Sequence, residues 1–201
     1  MAKKERICVY CQSARAVTKD HVPPKNLFRD EDKKKLQLVK VPACKACNNG
    51  NSANETRFRD VVAVMAGPSS AKEVYDAFRR SLDYEPSKRG RILADSYRNT
   101  KGRLVWKTEN TPLIETVSKV AKGLHFIGLG RPWPLDARID VYLDPGEKLQ
   151  DLRESRETQH VSLGVPFSYS FVEEDDTSIW WLHFHNKLEA IVVFEAASAL
   201  D

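Results

Sequence analysis

The four cysteines of this chain constrain its fold more than any other feature, because they form two Cys-x-x-Cys pairs. Cys8 pairs with Cys11, and Cys44 pairs with Cys47 after an interval of 32 residues. Each pair brings two thiolates within reach of one metal ion, so the spacing predicts a tetrahedral structural zinc site. The alternative, a redox dithiol, needs only one pair and usually lies beside a βαβ pattern, which the sequence lacks.

The interval between the pairs is longer than the roughly 15 to 20 residues of a simple zinc ribbon, so it must contain structure of its own. A first strand is predicted to stop at the two prolines that closely follow His21, and the alternation of residues 36–41 predicts a second strand. After the second pair, Ser52 and Glu55 match a capping box that opens a helix through Met65. The predicted order is strand, strand, helix, pinned by zinc.

The motifs in this region resemble those of the HNH endonucleases, the zinc-pinned branch of the ββα-metal nucleases, which have a treble-clef-like fold. The likeness rests on Cys-x-x-Cys, then Asp-His-Val-Pro, then Val-Pro-Ala-Cys-x-x-Cys-Asn, and it covers about residues 6–60, under a third of the chain. The resemblance implies that His21 is the general base that activates water. It also implies that Asp20 and Asn48 are ligands of one catalytic divalent metal.

One position departs from the family pattern. The middle asparagine of the motif, five residues before Cys44, is Val39 in this chain, and Asn26 or Gln37 is the candidate replacement. The departure leaves room for a second hypothesis, a zinc-stabilised module that binds nucleic acid or protein and whose nuclease site has decayed.

The chemistry of these residue types is consistent with phosphodiester hydrolysis. An imidazole with a pKa near ~6.5 can accept a proton from water at neutral pH, and the oxygens of Asp20 and Asn48 favour Mg²⁺ or Mn²⁺. Neighbours in a strand point to opposite faces, so Asp20 and His21 share a site only if the strand is distorted or one side chain reaches round. Two alternatives remain: Asn48 ends the knuckle turn in the left-handed conformation, or Asn51 binds the metal.

Charge divides the chain into a basic front and an acidic back. Residues 1–110 contain 24 Lys and Arg against 13 Asp and Glu, whereas residues 111–201 contain 8 against 15. A basic half is typical of a protein that meets a polyanion, so we expect DNA as the partner, with RNA not excluded. The run from Lys88 to Arg91, with Arg98, Lys101 and Arg103, forms either a phosphate-binding groove or a solvated face. The predicted nucleic-acid contacts are Lys19, Lys25, Lys45, Arg89 and Arg91.

The rest of the chain predicts an α+β protein with a helical middle and a C-terminal antiparallel sheet. Helices are predicted over residues 71–84 and 112–124, a turn over 128–130 and a polar, helical segment over 147–159. The predicted domains are 1–66, 67–130 and 131–201, and the last is core or a surface for a protein partner or self-association. The remaining histidines are predicted to be structural or at the surface: His125, His160, His183 and His185.

The longest apolar runs are far shorter than the roughly 18 residues of a membrane span, and the basic N-terminus lacks the apolar stretch of a secretory signal. We therefore expect a cytoplasmic protein without a membrane partner.

Overall fold

The computed structural model of the chain describes residues 6–36, 38–98, 100, 104–106, 110–144 and 158–196. Over these ranges the protein is a mixed α and β fold with a helical middle and a C-terminal antiparallel sheet, as the sequence predicts. Gln37, Lys101, Arg103 and most of the predicted helical segment 147–159 lie outside the described residues. The last residue of that segment, Gln159, begins a strand.

The N-terminal part is built around a β-hairpin in which Asp20 lies opposite Val41 and His21 lies opposite Lys40. A 3₁₀ turn and a short helix connect its two strands, and two helices follow the second strand. The predicted order of strand, strand and helix is therefore present. The elements are β1 (Thr18–Val22), the 3₁₀ turn (Lys25–Leu27), α1 (Asp30–Lys35), β2 (Val39–Ala43), α2 (Lys45–Asn49) and α3 (Ser52–Ser70).

The start of α3 differs from the predicted capping box. Asn51 is the N-cap without a side-chain hydrogen bond to the helix, and Ser52 is the first helical residue. The carboxylate of Glu55 contacts Lys119 instead of folding back on the helix start. The helix does not end at Met65 as predicted. It kinks at Gly67, whose φ of 68° favours glycine, and continues to Ser70.

The helical middle contains two helices, a small hairpin and one long helix. The long helix, α6, runs past its predicted end because Gly128 lies inside it rather than in a turn. A Cβ on Gly128 would come within 3.3 Å of the Trp180 ring, so the glycine permits close packing of α6 on the sheet. Gly130 ends α6 in the left-handed conformation. The elements are α4 (Lys72–Tyr84), α5 (Pro86–Ala94), β3 (Ser96–Arg98), β4 (Leu104–Trp106) and α6 (Thr111–Leu129).

The C-terminal part is a five-stranded antiparallel sheet with the order β5-β9-β8-β7-β6. Its aromatic side chains stack across strands, as for Phe171 and Trp180, whose ring centroids are 4.5 Å apart. A short acidic turn after Glu174 connects β7 to β8. The strands are β5 (Arg138–Leu143), β6 (Gln159–Ser162), β7 (Phe167–Glu174), β8 (Thr177–Phe184) and β9 (Leu188–Glu195).

One hydrophobic cluster contains residues of all three predicted segments. Val22 of the hairpin, Val120 of α6 and Trp180 of the sheet belong to it, and each is almost fully buried. Phe58 of α3 packs edge to face on Phe184 of β8, with 4.8 Å between the ring centroids. The N-terminal hairpin, α6 and the C-terminal sheet therefore share one hydrophobic core.

Candidate functional site

The four cysteines come together beside the hairpin, as the sequence predicts. Their sulfur atoms all lie within 4.8 Å of one another, and the Sγ atoms of Cys11 and Cys44 are 4.0 Å apart. Four sulfurs bound to one zinc at ~2.3 Å are about 3.8 Å from each other in a tetrahedron. All four are free thiols rather than disulfides. The cluster is therefore compatible with a structural zinc ion.

Local backbone structure positions the thiols. Residues 8 to 14 form a tight turn in which the amide of Cys8 donates to the carbonyl of Ala14. Cys44 caps α2, and its Sγ accepts a hydrogen bond from the amide of Cys47. Hydrogen bonding from the backbone of Ser13 is the main cause that lowers the pKa of Cys11 to about 6, whereas burial raises the pKa of Cys47.

Asp20 lies on the face of β1 that α6 covers, and only 7% of the residue is exposed. Its Oδ2 accepts a hydrogen bond of 3.0 Å from the hydroxyl of Tyr10 and lies 2.8 Å from the Nζ of Lys119. The same Nζ lies 2.7 Å from Oε1 of Glu55 on α3. We call Tyr10, Asp20, Glu55 and Lys119 the Lys119 cluster.

The charges of the Lys119 cluster depend on one another. Burial opposes ionisation of Lys119, but its hydrogen bonds to Asp20 and Glu55 outweigh that effect and raise its pKa. Burial raises the pKa of Glu55 against the opposing effect of Lys119. Burial and then the charge of Asp20 raise the pKa of Tyr10, which keeps its hydroxyl a donor. The cluster is thus an ammonium held by carboxylates.

His21 points away from the Lys119 cluster, because neighbouring residues of a strand face opposite ways. It lines an open cleft of about 430 Å³ together with Lys25, Lys33, Lys40 and two leucines of the connection between the strands. Burial lowers the pKa of His21, and the charges of Lys40 and Lys25 lower it further. The imidazole is therefore neutral at pH 7 and surrounded by ammonium groups.

Asn48 lies in the last turn of α2, so the alternative that it ends the knuckle turn in the left-handed conformation is wrong. Its Nδ2 donates to the Oγ1 of Thr18 over 3.1 Å and approaches the carbonyl of Lys19 at 3.5 Å. The Thr18 hydroxyl donates in turn to the carbonyl of Ala43. The amide of Asn48 thereby attaches α2 to the hairpin.

The other two candidate asparagines contact α3. Asn51 accepts a hydrogen bond of 3.0 Å from Nδ2 of Asn54. Asn26 donates from its Nδ2 to the carbonyl of Glu55 at 3.3 Å, which attaches the loop after β1 to α3.

A divalent metal at Oδ2 of Asp20 would compete with Lys119. A cation bound to Oδ2 of Asp20 would lie beside the Lys119 ammonium, which is 2.8 Å from that atom. Among the described residues, the only group of three or more Cys, His, Asp and Glu ligands close enough to share a metal is the cysteine cluster.

The predicted nucleic-acid contacts are exposed, and they lie in two places. Lys19, Lys25 and Lys45 surround the hairpin and α2, whereas Arg89 and Arg91 lie on α5, which packs against α4. Lys88 differs from its neighbours because it is 5% exposed and pairs with the buried Asp60 at 2.5 Å. Lys88 is therefore a structural residue rather than part of a groove.

His183 and His185, two positions apart in the chain, have different surroundings. His183 lies beside Glu189 of β9, with 3.4 Å between Nδ1 and Oε1. His185 lies beyond the end of β8 and is buried against the carbonyl of Leu27. His125 is buried in α6 and bonds to the carbonyl of Arg131, which agrees with a structural role.

Sequence reasoning missed the Lys119 cluster. The available signal was Lys119 itself, which lies between Val117 and Val120 in a predicted helix. A lysine there must either reach solvent or pair with a carboxylate. Its partners, Asp20 and Glu55, lie on separate elements, so only the tertiary structure identifies them.

Comparison of the chain with family models, with curated proteins and with solved structures finds no match. Among the helices in the described part of the chain, none has the length and apolar character needed to cross a membrane.

Proposed function

We propose that the chain is an HNH-type endonuclease that hydrolyses phosphodiester bonds in DNA, with His21 as the general base. The observation that carries the proposal is the placement of the His21 imidazole in an open cleft lined by Lys25, Lys33 and Lys40. Three ammonium groups attract a phosphate, and a neutral imidazole among them is free to accept a proton.

The lysines of the cleft would both bind the phosphate and stabilise the charge that develops on it during hydrolysis. Their charges hold the phosphate of a nucleic-acid backbone without reading its sequence, so binding should weaken as salt rises. The same charges stabilise the negative charge that grows on the phosphoryl oxygens when a nucleophile attacks. Lys19 and Lys45, exposed near the hairpin, would extend the contact along the backbone of the nucleic acid.

The proposed reaction begins when His21 takes a proton from a water molecule in the cleft. The water oxygen then bonds to the phosphorus, the bond from phosphorus to the leaving oxygen breaks, and that oxygen takes a proton from solvent. The resemblance adds Mg²⁺ or Mn²⁺ on Asp20 and Asn48, but the Asp20 carboxylate is already paired with Lys119. The steps proposed therefore use His21 and the lysines.

We also propose that the four cysteines bind one zinc ion with a structural role. Soft thiolates favour zinc over Mg²⁺ or Mn²⁺, and the bound ion would fix the loop at Cys8 to α2. It would thereby fix that loop and α2 beside the hairpin that carries His21. We expect the protein to act in the cytoplasm.

A plasmid-nicking assay tests the nuclease proposal. The wild type should convert supercoiled plasmid to nicked or linear forms whether or not Mg²⁺ or Mn²⁺ is added, and His21→Ala should lower the rate by about 10²-fold or more. His160→Ala is the matched control, because His160 is an exposed histidine of β6. Equal behaviour of wild type and His21→Ala on plasmid, single-stranded DNA and RNA would refute the proposal.

The second candidate function is a module that binds nucleic acid without cutting it. The observation in its favour is the ion pair of Asp20 with Lys119, which occupies a carboxylate that the nuclease family uses for metal. Fluorescence anisotropy with labelled DNA distinguishes the two. Salt-sensitive binding that Lys25→Gln and Lys40→Gln weaken, together with no nicking under any metal condition, would favour the binding module.

A further inference from the structure

The Lys119 cluster contains a cation that the chain itself provides. The Nζ of Lys119 lies within 2.8 Å of Asp20 Oδ2 and 2.7 Å of Glu55 Oε1, and the three side chains are 12%, 9% and 16% exposed. The ring of Tyr10 lies 5.4 Å from the same Nζ, and its hydroxyl donates to Asp20. An ammonium, two carboxylates and an aromatic face form one compact charge site.

The charge balance of this site favours a cation. Without Lys119, Asp20 and Glu55 would be two carboxylates that share a largely buried site, and burial of unpaired charge is strongly unfavourable. A divalent ion would neutralise both carboxylates, since carboxylate oxygens are the ligands that Mg²⁺ and Mn²⁺ prefer. Either the Lys119 ammonium or a divalent metal can therefore neutralise the negative charge of Asp20 and Glu55.

We infer that Lys119 is the resident cation of this site and excludes the divalent metal that the resemblance places on Asp20. A metal ion at about 2.0 to 2.6 Å from the Asp20 carboxylate would lie close to the ammonium, and the two positive charges would repel each other strongly at low exposure.

The packing of α6 keeps Lys119 at the two carboxylates. Lys119 is followed by Val120 and Ala121, both buried in the main hydrophobic cluster, and Val117 precedes it there. The helix cannot withdraw from the hairpin without exposing these residues. Release of the carboxylates requires Lys119 to leave two ion pairs while its helix stays in place.

Manganese binding measured by electron paramagnetic resonance tests the inference without any substrate. When Mn²⁺ is added to zinc-loaded wild type, the signal of free Mn²⁺ should equal the signal in buffer without protein, because no ion binds. Lys119→Met should instead bind about one Mn²⁺ per chain. The double variant Lys119→Met with Asp20→Asn should lose that site. Lys122→Met is the matched control, because Lys122 is a partly buried lysine one turn along α6, and it should behave as wild type.

Two outcomes would overturn the inference. One is the binding of Mn²⁺ by the wild type at a site that Asp20→Asn removes. This comparison tests the exclusion of metal even if Lys119→Met fails to fold. The other is a folded Lys119→Met protein that binds no Mn²⁺, since the freed carboxylates would then not require a cation.

The inference goes beyond the proposed nuclease and can fail separately from it. Mn²⁺ binding is measured without nucleic acid, so an inactive protein still gives a result. Conversely, loss of nicking in His21→Ala would support the nuclease proposal whatever the Mn²⁺ titration shows.

Discussion

The imidazole of His185 donates through Nε2 to the carbonyl oxygen of Leu27, over 2.8 Å and across 158 positions of the chain. Both residues are almost fully buried. The turn after β8 is thus attached to the 3₁₀ turn that follows β1, so the C-terminal sheet supports the loop next to His21. A residue far from the candidate site is thereby expected to control the shape of the cleft.

We expect His185→Asn to lower the free energy of unfolding by about 1–3 kcal/mol, because it removes a buried hydrogen bond and the ring that makes it. Asparagine tolerates the positive φ of 51° at this position. Urea unfolding followed by circular dichroism measures the change. The control is His160→Asn on an exposed strand, which should stay within about 0.5 kcal/mol of wild type. Equal stability of the two variants would contradict the structural role of His185.

Acidification should destabilise the protein below pH 6.5. Burial is the main cause that lowers the pKa of His125 and of His185 from the ordinary value of 6.5. The unfolded chain then binds protons more readily than the folded one. The stability that the two neutral histidines contribute is therefore fully present above pH 6.5, and it is lost as the pH falls through their lower pKa values in the folded state. Thermal unfolding at pH 7.5 and 5.5 should show a drop that is smaller in His185→Asn. An identical drop in both proteins would contradict a contribution from His185.

The cysteine cluster and the main helices could be predicted because their signals are local. Two thiols three positions apart reach one metal whatever the rest of the chain does. The apolar repeat of α6 likewise requires no knowledge of its partner. The same logic failed at Gly128, where a glycine typical of turns serves close packing against Trp180.

For Asp20 and His21, the sequence predicts the direction of the side chains but not the residues around them. The alternation of strands predicts opposite faces for these neighbours, and the structure has them so. What covers each face depends on distant residues: Lys119 for Asp20, and Lys33 and Lys40 for His21. Charge counting predicted a basic front half, but it could not separate a buried structural lysine such as Lys88 from the exposed arginines beside it.

Lys88→Met should destabilise the protein by about 3 kcal/mol, because it leaves the buried carboxylate of Asp60 with Arg59 as its remaining ion-pair partner among the described residues. Arg89→Met is the control, since Arg89 is the exposed next residue and should change stability by no more than about 0.5 kcal/mol. Adding Asp60→Leu to Lys88→Met should recover part of the loss. Equal urea midpoints for Lys88→Met and Arg89→Met would contradict the buried pair.

Removal of one cysteine should cost the protein its zinc. Purified wild type should contain about one zinc per chain by atomic absorption, and Cys44→Ser about none, with a clearly lower thermal midpoint. Cys44 also caps α2, so its loss affects the helix that carries Asn48. Ala46→Ser, an exposed position of the same helix, should retain the metal. A wild type without zinc would refute the site.

The pH dependence of cleavage should follow the charge state of His21. Only the neutral imidazole accepts a proton, so the rate should rise with pH through a midpoint below 6.5 and then level off. Lys40 and Lys25 help to lower that midpoint, and Lys40 lies directly opposite His21 on β2. Lys40→Gln should therefore move the midpoint to higher pH, because removing a nearby positive charge makes the protonated imidazole less unfavourable.

Pre-steady-state nicking rates between pH 5 and 8 measure this shift separately from any loss of binding, provided the DNA is saturating. Lys45→Gln is the matched control, because Lys45 is exposed on α2 and does not line the cleft. It should weaken binding at moderate salt and leave the midpoint unchanged. A midpoint that stays in place in Lys40→Gln, or that moves equally in Lys45→Gln, would show that the rate does not report on the imidazole in the lysine cleft.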